Sequence, residues 1–203
     1  MKKFATALAL TLALLPALIG CGRARYPAYY TLNLPPAPDP TAPESVRRSI
    51  AVREFQSPGY LHQGPIVYRP TREEIGFYEY HRWAADPRAL VTSAVIDHLR
   101  ASGQFSTVSM YAGRSDHEYV LSGKLEKLEE IDYEGRVKVE VAMSAQITSV
   151  GTGATVWSDS VSEVGTVSRR TVPAVVSQMN QTMELAINKL LSTVPSPLPS
   201  SKR

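Results

Sequence analysis

The chain has 203 residues, 43% of them hydrophobic and 20% charged, with a formal net charge of +3 and a single cysteine. One cysteine excludes an intrachain disulfide. Arg and Lys are scattered among Glu and Asp rather than gathered in blocks, and Lys2 and Lys3 leave with the segment discussed next, so no nucleic-acid footprint is present.

The amino terminus reads as a secretory signal. Lys2 and Lys3 form a short positive region, and residues 4–20 are an uncharged run rich in Ala and Leu. A bilayer core takes about twenty apolar residues, and Pro16 interrupts this run, which disfavours a permanent membrane helix. Leu18-Ile19-Gly20-Cys21 resembles the lipobox of bacterial lipoproteins. That likeness makes 1–20 a lipoprotein signal peptide and Cys21 the first residue of the mature chain, carrying a diacylglyceryl group on sulfur and a further acyl chain on the freed amine. Two or three acyl chains, at roughly 0.8 kcal/mol per buried methylene, give stable attachment where one is marginal. Gly22 lacks the Asp typical of inner-membrane retention, which leans toward the outer membrane.

Residues 21–46 read as a Pro-rich linker centred on Leu34-Pro35-Pro36-Ala37-Pro38-Asp39-Pro40. Such density favours extended polyproline at roughly 3 Å per residue, a spacer between lipid and domain. Tyr29-Tyr30-Thr31-Leu32 inside it is β-prone and has a second reading, docking on the domain. Residues 47–194 form the folded domain, and 195–203 a disordered polar tail.

Within the domain, Ile50-Ala51-Val52-Arg53-Glu54-Phe55 predicts a short strand ended by Ser57-Pro58-Gly59. Ile66-Val67-Tyr68-Arg69 and 75–80 predict two Tyr-rich strands in a hairpin-like insertion. Asp86-Pro87 opens a helix whose Leu90, Val91, Ala94, Val95 and Leu99 recur at helical steps until Gly103. Residues 105–111 and 119–125 predict further strands, with Asp116-His117-Glu118 as the turn between them. Val137, Val139, Val141, Met143, Ala145 and Ile147 then alternate with more polar residues, the period of a strand with one buried face. Gly151-Thr152-Gly153 turns this strand into a partner carrying Trp157. The last helix starts at Pro173, has an apolar stripe of Val175, Val176, Met179, Met183, Ala186, Ile187, Leu190 and Leu191, and stops at Pro195. The expected fold is α/β: a two-layer sandwich, a mixed and mostly antiparallel sheet covered on one face by two helices.

Chemistry is hard to find. His62, His81, His98 and His117 show no metal-ligand spacing, no Gly-x-Ser-x-Gly elbow accompanies Asp116-His117, and Gly151-x-Gly153 lacks the remainder of a dinucleotide fingerprint. Glu126, Glu129, Glu130, Asp132 and Glu134 read as a solvated acidic stretch near a loop. No enzymatic activity and no cofactor are expected beyond the lipid on Cys21. What stands out is the cluster Tyr68, Arg69, Phe77, Tyr78, Tyr80, His81, Arg82 and Trp83, because Tyr, Trp and Arg dominate binding hot spots. Tyr68, Arg69, Tyr78, Tyr80, Arg82 and Trp83 are the candidate partner-binding residues, with packing of the sheet as the competing reading.

The lipobox, Tyr29-Tyr30-Thr31-Leu32, the 50–55 strand, Ile66-Val67-Tyr68-Arg69, Tyr78-Glu79-Tyr80-His81-Arg82-Trp83, Gly103-Gln104-Phe105, Tyr119-Val120-Leu121-Ser122-Gly123 and Val156-Trp157 together resemble the ABC-type transport auxiliary lipoprotein family, the paraquat-inducible protein C type. The resemblance implies a non-enzymatic lipoprotein tethered to the outer membrane and facing the periplasm. Its implied partners are an MCE-domain protein and ABC transporter components in lipid movement between membranes. It also implies a homo-oligomer matching a ring-shaped partner. Two other readings stay open: a stand-alone lipid-binding carrier with an apolar pocket between sheet and helices, and an envelope or cell-wall scaffold.

Overall fold

A computed structural model describes residues 25–33, 48–113, 116–133 and 135–198. Its elements in order are β1 (Ala28–Tyr30), β2 (Arg48–Val52), a 3-10 turn (Gly59–Gln63), β3 (Pro65–Arg69), β4 (Gly76–Trp83), α1 (Pro87–Ala101), β5 (Phe105–Met110), β6 (Tyr119–Ile131), β7 (Lys138–Ser149), β8 (Thr155–Thr166) and α2 (Val172–Ser192).

The apolar alternation fixes the first layer. Val139, Val141, Met143, Ala145 and Ile147 of β7 are buried on one face. Across the hairpin Met143 pairs with Val161 and Ile147 with Trp157, so β8 extends that face. Onto it α2 lays Val175, Val176, Met179, Met183, Ala186, Ile187 and Leu190, all buried, as a stripe at steps of three and four must when one side of a helix meets a sheet. Trp157 closes the far end by donating from Nε1 to Thr193 Oγ1 at 3.2 Å. The Asp86 carboxylate accepts from the Arg88 backbone N–H at 2.9 Å, capping α1, and Val91, Val95 and Leu99 bury its stripe.

β6 is the spine. One of its edges pairs antiparallel with β7 along nearly the whole strand. The other edge is shared end to end by two parallel neighbours: β2 along the first half, through Ile50–Tyr119 and Val52–Leu121, and β3 along the second, through Val67–Glu129 and Arg69–Ile131. β5 lies outside β2, and β4 then β1 lie outside β3. The Tyr-rich hairpin is therefore part of the main sheet rather than an insertion. The two longest pairings are antiparallel, while β1–β4, β2–β5, β2–β6 and β3–β6 are parallel. At the centre, a Cβ on Gly123 would stand 2.4 Å from the ring of buried Phe55, so glycine is what lets Phe55 lie flat against the spine.

Three expectations change. β1 pairs Ala28, Tyr29 and Tyr30 with His81, Arg82 and Trp83, which places part of the expected 21–46 linker in the sheet. The Pro-rich stretch follows β1 and precedes β2, so it cannot be a spacer between Cys21 and the domain; residues 34–47 lie outside the described residues. In the expected tail, Leu198 is buried against the core, since an apolar side chain near the end of α2 gains more by covering it than by facing water. The acidic stretch is only partly solvated: Glu126 is exposed, but β6 runs on through Ile131, and Glu129 and Glu130 are buried within it. Residues 1–20, Cys21 and 199–203 lie outside the described residues. Among the described residues no helix is long and apolar enough to cross a membrane.

Candidate functional site

Two consecutive buried carboxylates on β6 point to opposite faces of the sheet, and the six candidate residues are sorted by them. Glu130 pairs with Tyr68 on β3 and with Val139 on β7, so it lies on the helix-covered face. Tyr78 Oη donates to Glu130 Oε2 at 2.8 Å, and the Tyr68 and Tyr78 rings sit 4.9 Å apart. Tyr78 also meets His81 edge-on at 5.9 Å, and His81 Nδ1 is 2.9 Å from Tyr30 Oη on β1. Trp83, at the end of β4, is 4% exposed and belongs to the core. Burial pushes the Glu130 carboxyl above its ordinary value; the Tyr78 hydrogen bond and Arg170 oppose this and Asp132 adds to it. Arg170 in turn pairs with Asp132 at 3.0 Å. Burial first and then the Glu130 carboxylate push the Tyr78 phenol well up, so it stays a donor.

Glu129 points the other way. Its Oε1 accepts from Arg69 Nε at 2.6 Å and its Oε2 from Tyr60 Oη at 3.5 Å. The side chain is 0% exposed, and that of Arg69 is 18% exposed. Next to it, Lys127 Nζ reaches Glu140 Oε1 at 2.9 Å, and Ser162 donates to the same oxygen at 3.2 Å. Glu129 raises the affinity of Arg69 for its proton, chiefly through the hydrogen bond, and Glu140 does so for Lys127. Arg82 Nη2 donates to the Gln63 carbonyl at 2.7 Å, and Arg25 lies over the Tyr80 ring at 5.5 Å.

Tyr68, Tyr78 and Trp83 thus gather on one face and Arg69 and Arg82 on the other; Tyr68, Arg69, Tyr78, Tyr80 and Arg82 each contact a named side chain or carbonyl, while Trp83 is packed in the core with its Nε1 buried and without a hydrogen bond among the described residues. The aromatics that remain open on this flank are Tyr26, Tyr29 and Phe77, with Tyr26 85% and Tyr29 62% exposed. Exposure of a tyrosine next to one that is half-buried follows from strand alternation, which the sequence did show.

Farther along β6, its helix-free face is open. Arg53, Ser122, Lys124, Ser144, Gln146, Ser158 and Ser160 border a concavity of about 690 Å³. An adjoining one of about 530 Å³ is shared by Arg53, Ser122 and Gln146 and completed by Tyr111, Val120 and Thr148. Sequence reasoning missed Arg53 and Tyr111, because residues 58 apart in the chain carry no mutual signal; only the parallel β2–β5 pairing brings them together. Among the described residues no three His, Cys, Asp or Glu side chains converge as a metal site.

A family model described as ABC-type transport auxiliary lipoprotein component matches residues 30–190. No curated protein matches the chain in sequence. A Xanthomonas campestris protein of the DUF330 family superposes with a TM-score of 0.71 at 19% identity, over 81% of this chain and 92% of its own. A second crystal structure, of an uncharacterized protein, gives 0.65 at 13% identity over 83% of this chain and 99% of its own. At these identities the likeness is one of fold. The family match runs from the last residue of β1 through β8 and nearly all of α2, and the chain belongs to the ABC-type transport auxiliary lipoprotein component family.

Proposed function

We propose that this chain is a non-enzymatic lipoprotein of the outer membrane that docks an MCE-domain protein, and with it an ABC transporter, on the periplasmic side for lipid transport. The observation that carries the reading is the family match over 30–190. The lipobox ending at Cys21 supplies the anchor, with a diacylglyceryl and an N-acyl chain as its only prosthetic chemistry.

The docked β1 adds a geometric consequence. Only three residues lie between Cys21 and Arg25, four Cα steps with a reach of roughly 14 Å at full extension, so the anchor holds the β1–β4 flank close to the lipid. Exposed Tyr26, Tyr29 and Phe77 on that flank suit a membrane interface, where aromatic side chains are favoured. The partner then meets the domain at the end away from β1. The outer edge of β8, which pairs only with β7 among the described strands, is available for a ring of copies. The carrier reading is disfavoured by the α2 stripe, which is consumed by the sheet beneath it.

The test is a crosslinked pull-down of the full chain from envelope membranes beside a Cys21→Ala version, with partners identified by mass spectrometry. Capture of an MCE-domain protein by the lipidated form alone is the expected result. Recovery of bound lipid with no protein partner would make the chain a carrier and overturn the docking role.

A further inference from the structure

We infer that the concavity around Arg53 is a binding site for a phosphorylated, hydroxyl-bearing small molecule or headgroup, such as a glycerol phosphate. Parallel pairing places Arg53, just past β2, beside Tyr111, just past β5. The Arg53 backbone N–H donates to Leu121 O at 2.8 Å and that of Tyr111 to Val52 O at 2.8 Å, which fixes both Cα positions on the sheet. The guanidinium carbon lies 4.0 Å from the centre of the Tyr111 ring, and Tyr111 Oη is itself held by Gly113 O at 2.8 Å. A guanidinium stacked on an aromatic face keeps its N–H fork free at the edge, in the geometry that grips phosphate or carboxylate through two parallel bonds.

The surroundings are uncommitted. Among the described residues Arg53 has no carboxylate partner, and the side chains of Ser122, Gln146 and Thr148 make no hydrogen bond within the protein. No acidic residue borders the smaller concavity, and Val120 and Val150 line part of it. The larger one continues from the same Arg53, Ser122 and Gln146 to Ser158, Ser160 and Lys124, a cation with no carboxylate partner among the described residues; Ser144, which donates to Glu126 at 2.9 Å, and the carboxylates of Glu54 and Asp159 also line it, so the anion is held at the Arg53 end, in the smaller concavity. Anion recognition at one end and a row of hydroxyls at the other fit a phosphate joined to a polyol. A peptide strand fits poorly, because β6 has both edges paired here and β7 does too, leaving no main-chain groups to receive it.

The experiment is isothermal titration of the full chain in neutral detergent, at low salt, with sn-glycerol 3-phosphate, with glycerol, and with short-chain phosphatidylglycerol. Binding of glycerol phosphate but not glycerol is expected, weakened at least tenfold by Arg53→Gln and several-fold by Lys124→Gln, with the melting temperature of both variants unchanged. If short-chain phosphatidylglycerol shows the same dependence on Arg53, the source is a lipid headgroup; if only glycerol phosphate binds, it is a free metabolite. Equal binding by wild type and Arg53→Gln, or no binding of either phosphate, overturns the site. So does an Arg53-dependent self-association by sedimentation in the absence of ligand, which would assign the face to a second copy of the chain.

Discussion

The helix-free face of β6 has two ends that use polar residues in opposite ways. Toward β3, Glu129 is closed off by Arg69 and Tyr60, and Lys127 and Ser162 close off Glu140. Toward β2, Arg53, Ser122, Gln146 and Thr148 hold no side-chain partner among the described residues, apart from the ring under Arg53. The first end buries Glu129 fully and pairs its charges, although Lys127 stays 43% exposed; the second is open and its groups remain available. A buried charge left without its partner costs several kcal/mol, whereas an exposed one costs little. Stability is therefore expected to concentrate at one end and binding at the other.

Breaking the closed end gives the largest effect. Arg69→Ala strands Glu129 inside the protein and is expected to cost about 3–5 kcal/mol in chemical denaturation. A loss below about 1 kcal/mol would mean that Glu129 reaches water and that the two ends are alike. On the helix-covered side of the same strand, Gly123→Ala drives a methyl into the Phe55 ring and is expected to cost about 1–3 kcal/mol, because Phe55 has no room to retreat.

Glu130, behind the same strand, sharpens the comparison through pH. Its carboxyl is pushed up mainly by burial, so the folded state holds the proton more tightly than the unfolded chain does. Its contribution is complete below the ordinary carboxylate value and is lost as pH rises through the raised one. Glu130→Gln keeps an acceptor for Tyr78 and removes the charge, so it should melt higher than wild type at pH 7, and the difference should vanish near pH 4. A gain that is the same at both pH values would assign it to packing instead. The smallest effect is expected at the open end: Arg53→Gln should change unfolding free energy by no more than about 0.5 kcal/mol.

What the sequence made legible was whatever had a single local period. The β7 alternation, the stripes of α1 and α2 and the Asp86 cap appear where the residues predict them. The second half of β6 was hidden because it is buried on both faces and bulged between Leu125 and Lys127, so neither alternation nor a continuous apolar run marks it. Glu129 and Glu130 read as solvated for the same reason: their partners Arg69, Tyr60 and Tyr78 are about 50 to 70 residues away in the chain. The aromatic cluster was legible as a cluster but not as two faces, since its division depends on a register shift between Pro65 and Val67. The Arg53–Tyr111 pair had no local signal at all.

The shared edge of β6 also sets an order of assembly. β6, β7, β8 and α2 are contiguous in the chain and joined by short turns, so they can pair as they are made, while β2 and β3 must wait for a strand about 60 to 70 residues downstream. Long-range parallel pairing is slow, and strands with open edges are prone to aggregate in the meantime. Synthesis and export deliver the amino-terminal half first. The half of the protein that emerges earliest is thus the half that folds last, and it must be kept from misassociation until β6 arrives as its template.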